Sequence, residues 1–415
     1  MIDIPSPAIA IVGRHNSGKT TLVERLIGEL TARGCDIGSI KHHHRMGFEF
    51  DVPGKDSYRH RQAGATETVI AAPDQVARVR TVDAEVECSQ LVLTMPGHDL
   101  IIVEGYRKSG LPTIEIMRRG NGADEMVAEC FIEGAREGEP LGTDFVQKAR
   151  GDRAFDVREI AEKMPTASTV AVVTDIPDVH GAAARYGIPS FDINNIGAIA
   201  DFLEESYVRP KVTVVIQAGG ESRRMGRSKA TVPFAGRPLI CRLVERLLPA
   251  ADELLITTNE QENLAFLYDQ YPDAGLRMVS DTVDFRGALP GLLTALRAAS
   301  NPFVAVVACD MVFASPRLVV AEAIAMKESG ADVVVPVNKH GFEPFHALYR
   351  RKTCLPAAIE GVAAGERRAQ AMFGKLNVRE FTQSEVLAAE PMGGCFINAN
   401  TPAELQAIED SFVEE

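Results

Sequence analysis

"VIQAGGESRRMGRSK", residues 215–229, runs an apolar stretch into paired glycines and then into four cations, Arg223, Arg224, Arg227 and Lys229. A strand that empties into a glycine turn lets backbone N–H groups come close to an anionic ligand, and the cations behind it can neutralise a triphosphate. No G-K-[ST] closes the loop, so it is not a Walker A turn. Its layout suits displacement at an α-phosphorus, where the leaving pyrophosphate gathers charge and needs cations. Taken alone, a glycine–arginine loop reads as well as a basic solvated turn, and the surrounding chain has to decide.

Downstream, "TTN" puts Asn259 and "VSD" puts Asp281 at strand ends. "FVAVVACD" delivers Asp310 at the carboxyl end of a buried strand, where α/β sheets place their ligands. A carboxylate there suits Mg²⁺ bridging a triphosphate. In "FINANTPAEL", Thr401, Pro402 and Glu404 spell a helix start with a capping box. Asn398 and Asn400 are therefore open between backbone capping and ligand contact.

Two hundred residues upstream lies a different glycine loop. "GRHNSGKTT", residues 13–21, matches G-x-x-x-x-G-K-[ST] in full, after a strand-like run and before the helical stripe Leu22, Leu26, Ile27, Leu30. Glycines let the backbone wrap phosphates, Lys19 reaches β/γ oxygens, and the Thr20 hydroxyl can join Mg²⁺. Glu104, ending "DLIIVE", is placed either as a Walker-B-type acid toward Mg²⁺ or as a structural edge carboxylate. His42, His43 and His44 have no matching ligand set, and adjacent side chains point apart, so they are read as a solvated or anion-facing loop.

Both halves alternate short β-branched runs with amphipathic stretches, the pattern of α/β folds with largely parallel sheets. The expected strands are "AIAIVG", "TVIAAP", "LVLTM", "DLIIVEGY" and "TVAVVTD", then "VTVVIQAGG", "ELLITTN", "FVAVVACD" and "ADVVVPV". At 415 residues the chain exceeds one ordinary core, and the proline-bearing "YVRPK", residues 207–211, is the best boundary. Domains are thus expected at residues 1–207 and 211–415. A net charge of −13 argues against a nucleic-acid partner. Seven scattered cysteines without C-x-x-C, an acidic start, and no apolar run near the ~18 residues of a membrane span point to a cytoplasmic enzyme without membrane or zinc.

The first loop, the Lys-His segment with "GKDSYRHRQAGA", and "VEGYRKSGLPTIEI" together resemble MobB, the GTP-binding adaptor of molybdopterin-guanine dinucleotide synthesis. The resemblance covers about the first 205 residues and implies a P-loop NTPase-type sheet that binds GTP and helps a partner transferase. It carries Gly13, Gly18, Lys19, Thr20 and Thr21 onto the nucleotide site, with Glu104 as an Mg²⁺ contact. The family's K-H element falls on Lys41 and His42, and its G-K-D-S on residues 54–57.

From Lys211 onward, A-G-G-x-S-x-R-M-G…K, T-N, S-D, C-D and N-x-N-T-P resemble the molybdenum cofactor guanylyltransferases, MobA. That implies a Rossmann-like nucleotidyltransferase sheet joining GMP from GTP to Mo-molybdopterin, with Mg²⁺ and release of pyrophosphate. Gln217, Ala218, Gly219 and Gly220 open the GTP loop, Lys229 holds phosphate, Asn259 and Asp281 contact nucleotide, and Asp310 takes the metal. Lys229, Asp310 and Arg224 carry the catalytic assignments. The chain departs from the family at Gln217 for leucine, Ser228 for an acid, "GALPG" for G-P-L-x-G and "CDMV" for C-D-x-P. A-G-G rather than the A-A-G of a related cytidylyltransferase favours guanine.

The resulting expectation is an adaptor fused to its transferase. CTP transfer to the same pterin, or a non-catalytic protein delivering nucleotide or cofactor, are the alternatives. Molybdenum insertion proteins and apo-molybdoenzymes are the protein partners this reading implies. His346 in "FEPFHALYR" is open between facing the cleft and packing, and Arg350–Arg351 and Arg367–Arg368 are read as solvated surface.

Overall fold

The computed structural model describes residues 5–43, 51–141, 163–219, 228–283, 285–339, 341–399 and 401–411. Gly220, Arg224, His44 and Asn400 lie outside the described residues. The chain divides into one unit over Ser6–Val208 and a second that includes Arg209–Glu415.

Among the described residues the first unit has eight strands: β1 (Ala8–Val12), β2 (Ile37–Lys41), β3 (Glu67–Ala71), β4 (Val76–Arg80), β5 (Leu100–Glu104), β6 (Thr113–Met117), β7 (Thr169–Thr174) and β8 (Ser190–Asp192). Six of them form one sheet in the order β2-β5-β1-β6-β7-β8, every neighbouring pair parallel. "AIAIV" and "LIIVE" are apolar along almost their whole length because helices cover both faces. Lys19–Ala32 and Ile196–Ser206 pack on one face through Leu26, Leu30 and Ile199. Gly122–Glu137 and Pro177–Arg185 cover the β6–β7 end of the other through Phe131 and Val179.

Two of the sequence-derived strands come out differently. "TVIAAP" enters an antiparallel hairpin, β3 with β4, apart from the main sheet. "LVLTM" is not a strand: Cys88–Leu93 is helical, and Leu91, Val92 and Met95 pack beside Cys88 against Ile101 and Val103. A short apolar run reads alike as buried strand or buried helix, and here packing on an existing sheet face decides.

In the second unit lie β9 (Val212–Gln217), the small ribbon β10 (Pro233–Phe234) and β11 (Arg237–Pro238), β12 (Glu253–Thr257), β13 (Arg277–Val279), β14 (Phe303–Ala308), β15 (Val333–Asn338), β16 (Gly341–Phe342), β17 (His346–Arg350) and β18 (Val378–Phe381). The main sheet runs β13-β12-β9-β14-β17-β15-β16, with β18 also paired to β15. It is mixed rather than largely parallel, since β17 lies antiparallel to both β14 and β15. The link from β15 to β17 is too short for a crossover helix, so the chain must return antiparallel. β9 sits between β12, which follows it, and β14, which comes later, so the strand order reverses beside β9. Ligands of open α/β sheets bind outside the carboxyl edge at such a reversal. No helix among the described residues is long and apolar enough to cross a membrane.

Candidate functional site

In the first unit β1 delivers the glycine loop directly into the helix Lys19–Ala32. Gly18 takes a left-handed backbone with φ 82°, and a Cβ there would lie 2.9 Å from Arg118 Nη1. A Cβ at Gly13 would meet Ser17 Oγ at 2.6 Å, so Gly13 is required by close approach and Gly18 by its left-handed backbone. Lys19 folds back over the loop, its Nζ donating to the carbonyls of Gly13 (3.1 Å) and Arg14 (2.6 Å). Burial lowers the Lys19 ammonium from its ordinary range, with Glu104 opposing the shift.

Thr20 Oγ1 donates to Glu104 Oε1 at 2.8 Å, and Lys41 Nζ reaches both Glu104 oxygens at 3.0 Å. Strands β5 and β2 are neighbours, which is why Glu104 and Lys41 stand opposite each other in register. Thr21 stays exposed on the first helical turn. His42 stacks on Tyr106 with ring centroids 4.2 Å apart and pairs through Nε2 with Glu85. It thus has an aromatic and a carboxylate neighbour rather than a purely solvated place.

Beneath this loop runs a charged network that the motif did not announce. Arg14, 3% exposed, donates to the Ile116 carbonyl at 2.9 Å and pairs with Glu115 (3.0 Å) and Asp124 (3.4 Å). Arg107 grips the same Glu115 through both terminal nitrogens, at 2.6 and 2.7 Å. Desolvation lowers the Arg14 guanidinium and raises the Asp124 carboxyl. Arg14 occupies a variable position of the loop motif, so only the alternation of charge inside the apolar strand "TIEIM" could have drawn attention to Glu115.

The second unit gathers its candidates at the carboxyl edge of β12, β9, β14 and β13. Ala218 N donates to the Thr257 carbonyl (2.8 Å) and Cys309 N to the Gln217 carbonyl (3.1 Å), tying the turn after β9 to both neighbours. On one side Asn259 Nδ2 donates to Asp281 Oδ2, and Asp281 N donates to Asn259 Oδ1, each at 2.9 Å. A Cβ at Gly219 would lie 3.6 Å from Asp281 Oδ2, so Gly219, Asn259 and Asp281 form one cluster. On the other side Lys229 Nζ meets Asp310 Oδ2 at 2.8 Å, both side chains about one-fifth exposed at 19% and 21%.

Gln217 lies at the end of β9 against the helix Ala288–Ala298. A Cβ at Gly291 would be 3.2 Å from its Nε2, so the second glycine of "GALPG" leaves room for the Gln217 amide. That Nε2 is buried without a hydrogen-bond partner. Burial pushes the Cys309 thiol beside Asp310 up to about 12, leaving it a neutral packing group. The carbonyl of Asp310 accepts from Ala399 N at 3.0 Å, and Met311 bridges Asn398. Asn398 therefore sits on the Asp310 turn. Thr401 Oγ1 accepts from Glu404 N at 3.2 Å, the cap expected of "NTPAE".

Among the described residues no three His, Cys, Asp or Glu side chains assemble as a metal cage. Asp310 in the second unit, and Thr20 with Glu104 in the first, present oxygen donors of the kind that hold Mg²⁺ together with phosphate oxygens. The residues fit that ion as a partner of a bound nucleotide.

The chain thus carries a P-loop turn on a parallel sheet and a second glycine turn at the strand reversal of a mixed sheet, and its class is that of the nucleotidyltransferases. The family model for Molybdopterin guanine dinucleotide synthesis protein B matches residues 8–132, and that for the MobA-like NTP transferase domain matches residues 214–380. The chain belongs to the molybdenum cofactor guanylyltransferase family. It is 33% identical over 199 residues to such a protein from Desulfosudis oleivorans, covering 94% of that relative and 48% of this chain. It is 32% identical over 209 residues to one from Burkholderia ambifaria, covering 96% and 48%. Solved structures similar to it include molybdopterin-guanine dinucleotide biosynthesis protein A from Archaeoglobus fulgidus (23% identity, TM-score 0.43, 97% of that chain and 48% of this one). MobB from Bacillus subtilis is another (19% identity, TM-score 0.30, 95% and 48%).

Proposed function

We propose that the chain transfers GMP from GTP to Mo-molybdopterin, forming the guanine dinucleotide and pyrophosphate, with a GTP-binding adaptor built into the same polypeptide. The adaptor is taken as residues 1–207 and the transferase as residues 211–415. The observation that carries this reading is the Lys229–Asp310 pair beside the glycine turn of β9. It is supported by the Gly219–Asn259–Asp281 cluster on the neighbouring strands.

In this reading Gln217, Ala218, Gly219 and Gly220 approach the nucleotide, and Asn259 and Asp281 fix its orientation through neutral and anionic acceptors. A terminal phosphate oxygen of the pterin attacks the α-phosphorus in line, and the bond to the β-phosphate oxygen breaks. Lys229, helped by Arg224, stabilises the negative charge that moves onto pyrophosphate. Asp310 would hold Mg²⁺, which when bound supplies charge neutralisation on the triphosphate. In the adaptor, Gly13, Gly18, Lys19, Thr20 and Thr21 would grip GTP, with Thr20 and Glu104 toward its Mg²⁺. Protein partners would be molybdenum insertion proteins and apo-molybdoenzymes, in the cytoplasm.

Pyrophosphate release with GTP, CTP and ATP, each with and without molybdopterin, tests the reading. Release with GTP and pterin alone is expected. Equal release with CTP would make this a cytidylyl or unselective transferase, and none with any pair would leave a binding protein. An Asp310→Ala chain that still transfers GMP would remove the metal assignment.

A further inference from the structure

A fully buried polar cluster lies behind the Asp310 turn, outside the residues assigned above. His346, at the start of β17, and Glu322, on the helix Pro316–Ser329, are each 0% exposed. Ser315 N donates to His346 Nε2 at 3.1 Å, so the neutral imidazole carries its proton on Nδ1. That Nδ1 stands 3.6 Å from Glu322 Oε1, beyond hydrogen-bond reach. Neither Glu322 oxygen and not Nδ1 has a hydrogen-bond partner. Three buried polar atoms without hydrogen-bond partners are costly and call for an explanation.

What they adjoin is the turn from Asp310 to Ser315. Ala399 N holds its first carbonyl, Arg242 Nε the carbonyl of Val312 (3.2 Å) and Arg246 Nε that of Ala314 (3.0 Å). Its last residue, Ser315, caps the next helix through Leu318 N and donates to Glu390 Oε2 at 2.8 Å. The Ser315 amide is held by His346 alone among the hydrogen bonds of this cluster. The groups facing Glu322 are His346 and Tyr349 from β17 and Cys395 from the segment after the helix Gln383–Ala389. Glu390 and Arg246 face each other one layer away. Edge-on to the imidazole lies Phe396, with centroids 5.7 Å apart.

We propose that His346 and Glu322 are positioning residues for Asp310, the imidazole anchoring the far end of its turn and the carboxyl setting where the imidazole rests. This rests on the assignment of Asp310 to the nucleotide–metal site. The gap seen between Nδ1 and Glu322 suits a neutral carboxyl. An ionised one, buried without a partner, draws the Nδ1–H toward itself. Because the ring is rigid, Nε2 then leaves the Ser315 amide and the turn loosens. Burial pushes the Glu322 carboxyl up to about 7, with His346 opposing the shift, so the change falls near neutral pH. The neutral, anchored form prevails below that value and is lost as pH rises through it.

The test uses the full chain with Lys19→Ala to silence the first loop, titrated with GTP in the presence and absence of Mg²⁺ from pH 5.5 to 9. The Mg²⁺-dependent gain in GTP affinity is expected to fall about 10-fold above pH 7, and to be flat with pH when Glu322→Gln is added. An unchanged bend in the Glu322→Gln chain overturns the proposal. For His346, the Phe variant removes the acceptor and the Gln variant keeps one. Expected is a loss of about 10-fold in the same Mg²⁺-dependent affinity for His346→Phe and restoration to within about 3-fold for His346→Gln. Chains whose unfolding midpoints lie well above the assay temperature make the comparison valid, and equal affinities in both variants refute the anchoring role. This binding readout stands even if no GMP transfer is found, whereas absent transfer with a pH bend present would sink only the assigned reaction.

Discussion

Replacing Lys229 with methionine separates a catalytic from a structural lysine by magnitude. The Nζ–Oδ2 distance to Asp310 is 2.8 Å, with the two side chains 19% and 21% exposed. At an effective dielectric of about 20 the gross attraction is about 6 kcal/mol, most of it cancelled by desolvation of both partners. Asp310 keeps access to water after the substitution, so the stability loss should be no more than about 1–2 kcal/mol. For a unit of roughly two hundred residues that is a fall of about 2–8 °C in unfolding midpoint. Loss of a group that stabilises developing charge costs far more, about 10²–10³ in kcat. Steady-state pyrophosphate release and a thermal scan on Lys229→Met give both numbers. Asp310→Asn should cost a similar factor, and the double variant should lose little beyond the worse single one, because both side chains serve one leaving group. A kcat within 10-fold of wild type, or losses that multiply in the double variant, would refute the reasoning.

Three further outcomes follow from particular contacts. Lys19→Ala removes the ammonium that now rests on the Gly13 and Arg14 carbonyls, and calorimetric titration should count one GTP per chain instead of two; two would exclude Lys19 from nucleotide binding. Gln217→Leu removes a buried amide nitrogen with no hydrogen-bond partner and installs the leucine usual in the guanylyltransferases, so it should stabilise by about 1–2 kcal/mol in denaturant titration and keep the preference for GTP over CTP within about 3-fold; a loss of stability would show that the amide is satisfied in solution, and a loss of the preference that it reads the base. Glu115→Gln leaves the Arg14 and Arg107 guanidiniums facing a neutral amide, and should destabilise the first unit by about 3–5 kcal/mol in denaturant titration, where a loss under 1 kcal/mol would mean the network is solvated or dispensable.

The strand-and-loop logic was legible wherever an apolar run ended in chemistry. Val212–Gln217, Phe303–Ala308 and Ala8–Val12 announced themselves because strands buried on both faces read as unbroken β-branched runs. Lys229 and Asp310, eighty-one positions apart, meet because β9 and β14 are parallel neighbours, which the motif order suggested and only the sheet supplies. What stayed hidden depends on packing. "LVLTM" became helix against an existing face, and β17 turned antiparallel through the shortness of its connection. The Arg14–Glu115–Asp124 and Glu322–His346 groups could not be read, since burial of a charged residue leaves no periodic trace in one sequence. In the sequence His346 stands open between facing the cleft and packing. Its significance comes from Ser315 and Glu322, which carry no motif at all.

The two lysines assigned to phosphate in the proposed function differ in what a nucleotide must displace. Lys19 rests on neutral carbonyls, so triphosphate oxygens replace weak dipoles and gain a charge-assisted bond at small cost. Lys229 rests on a carboxylate, so phosphate approaching it also approaches the negative charge of Asp310. Binding there is favourable only when a cation compensates Asp310 as the lysine turns to phosphate. GTP affinity at the second site should therefore depend on Mg²⁺ far more steeply than at the first. With Lys19→Ala isolating one site and Lys229→Met the other, chelation by EDTA should weaken the Lys229 site by at least about 10-fold more than the Lys19 site. Equal sensitivity would mean that the Lys229–Asp310 pair opens at no electrostatic cost, and that its place at the strand reversal is structural.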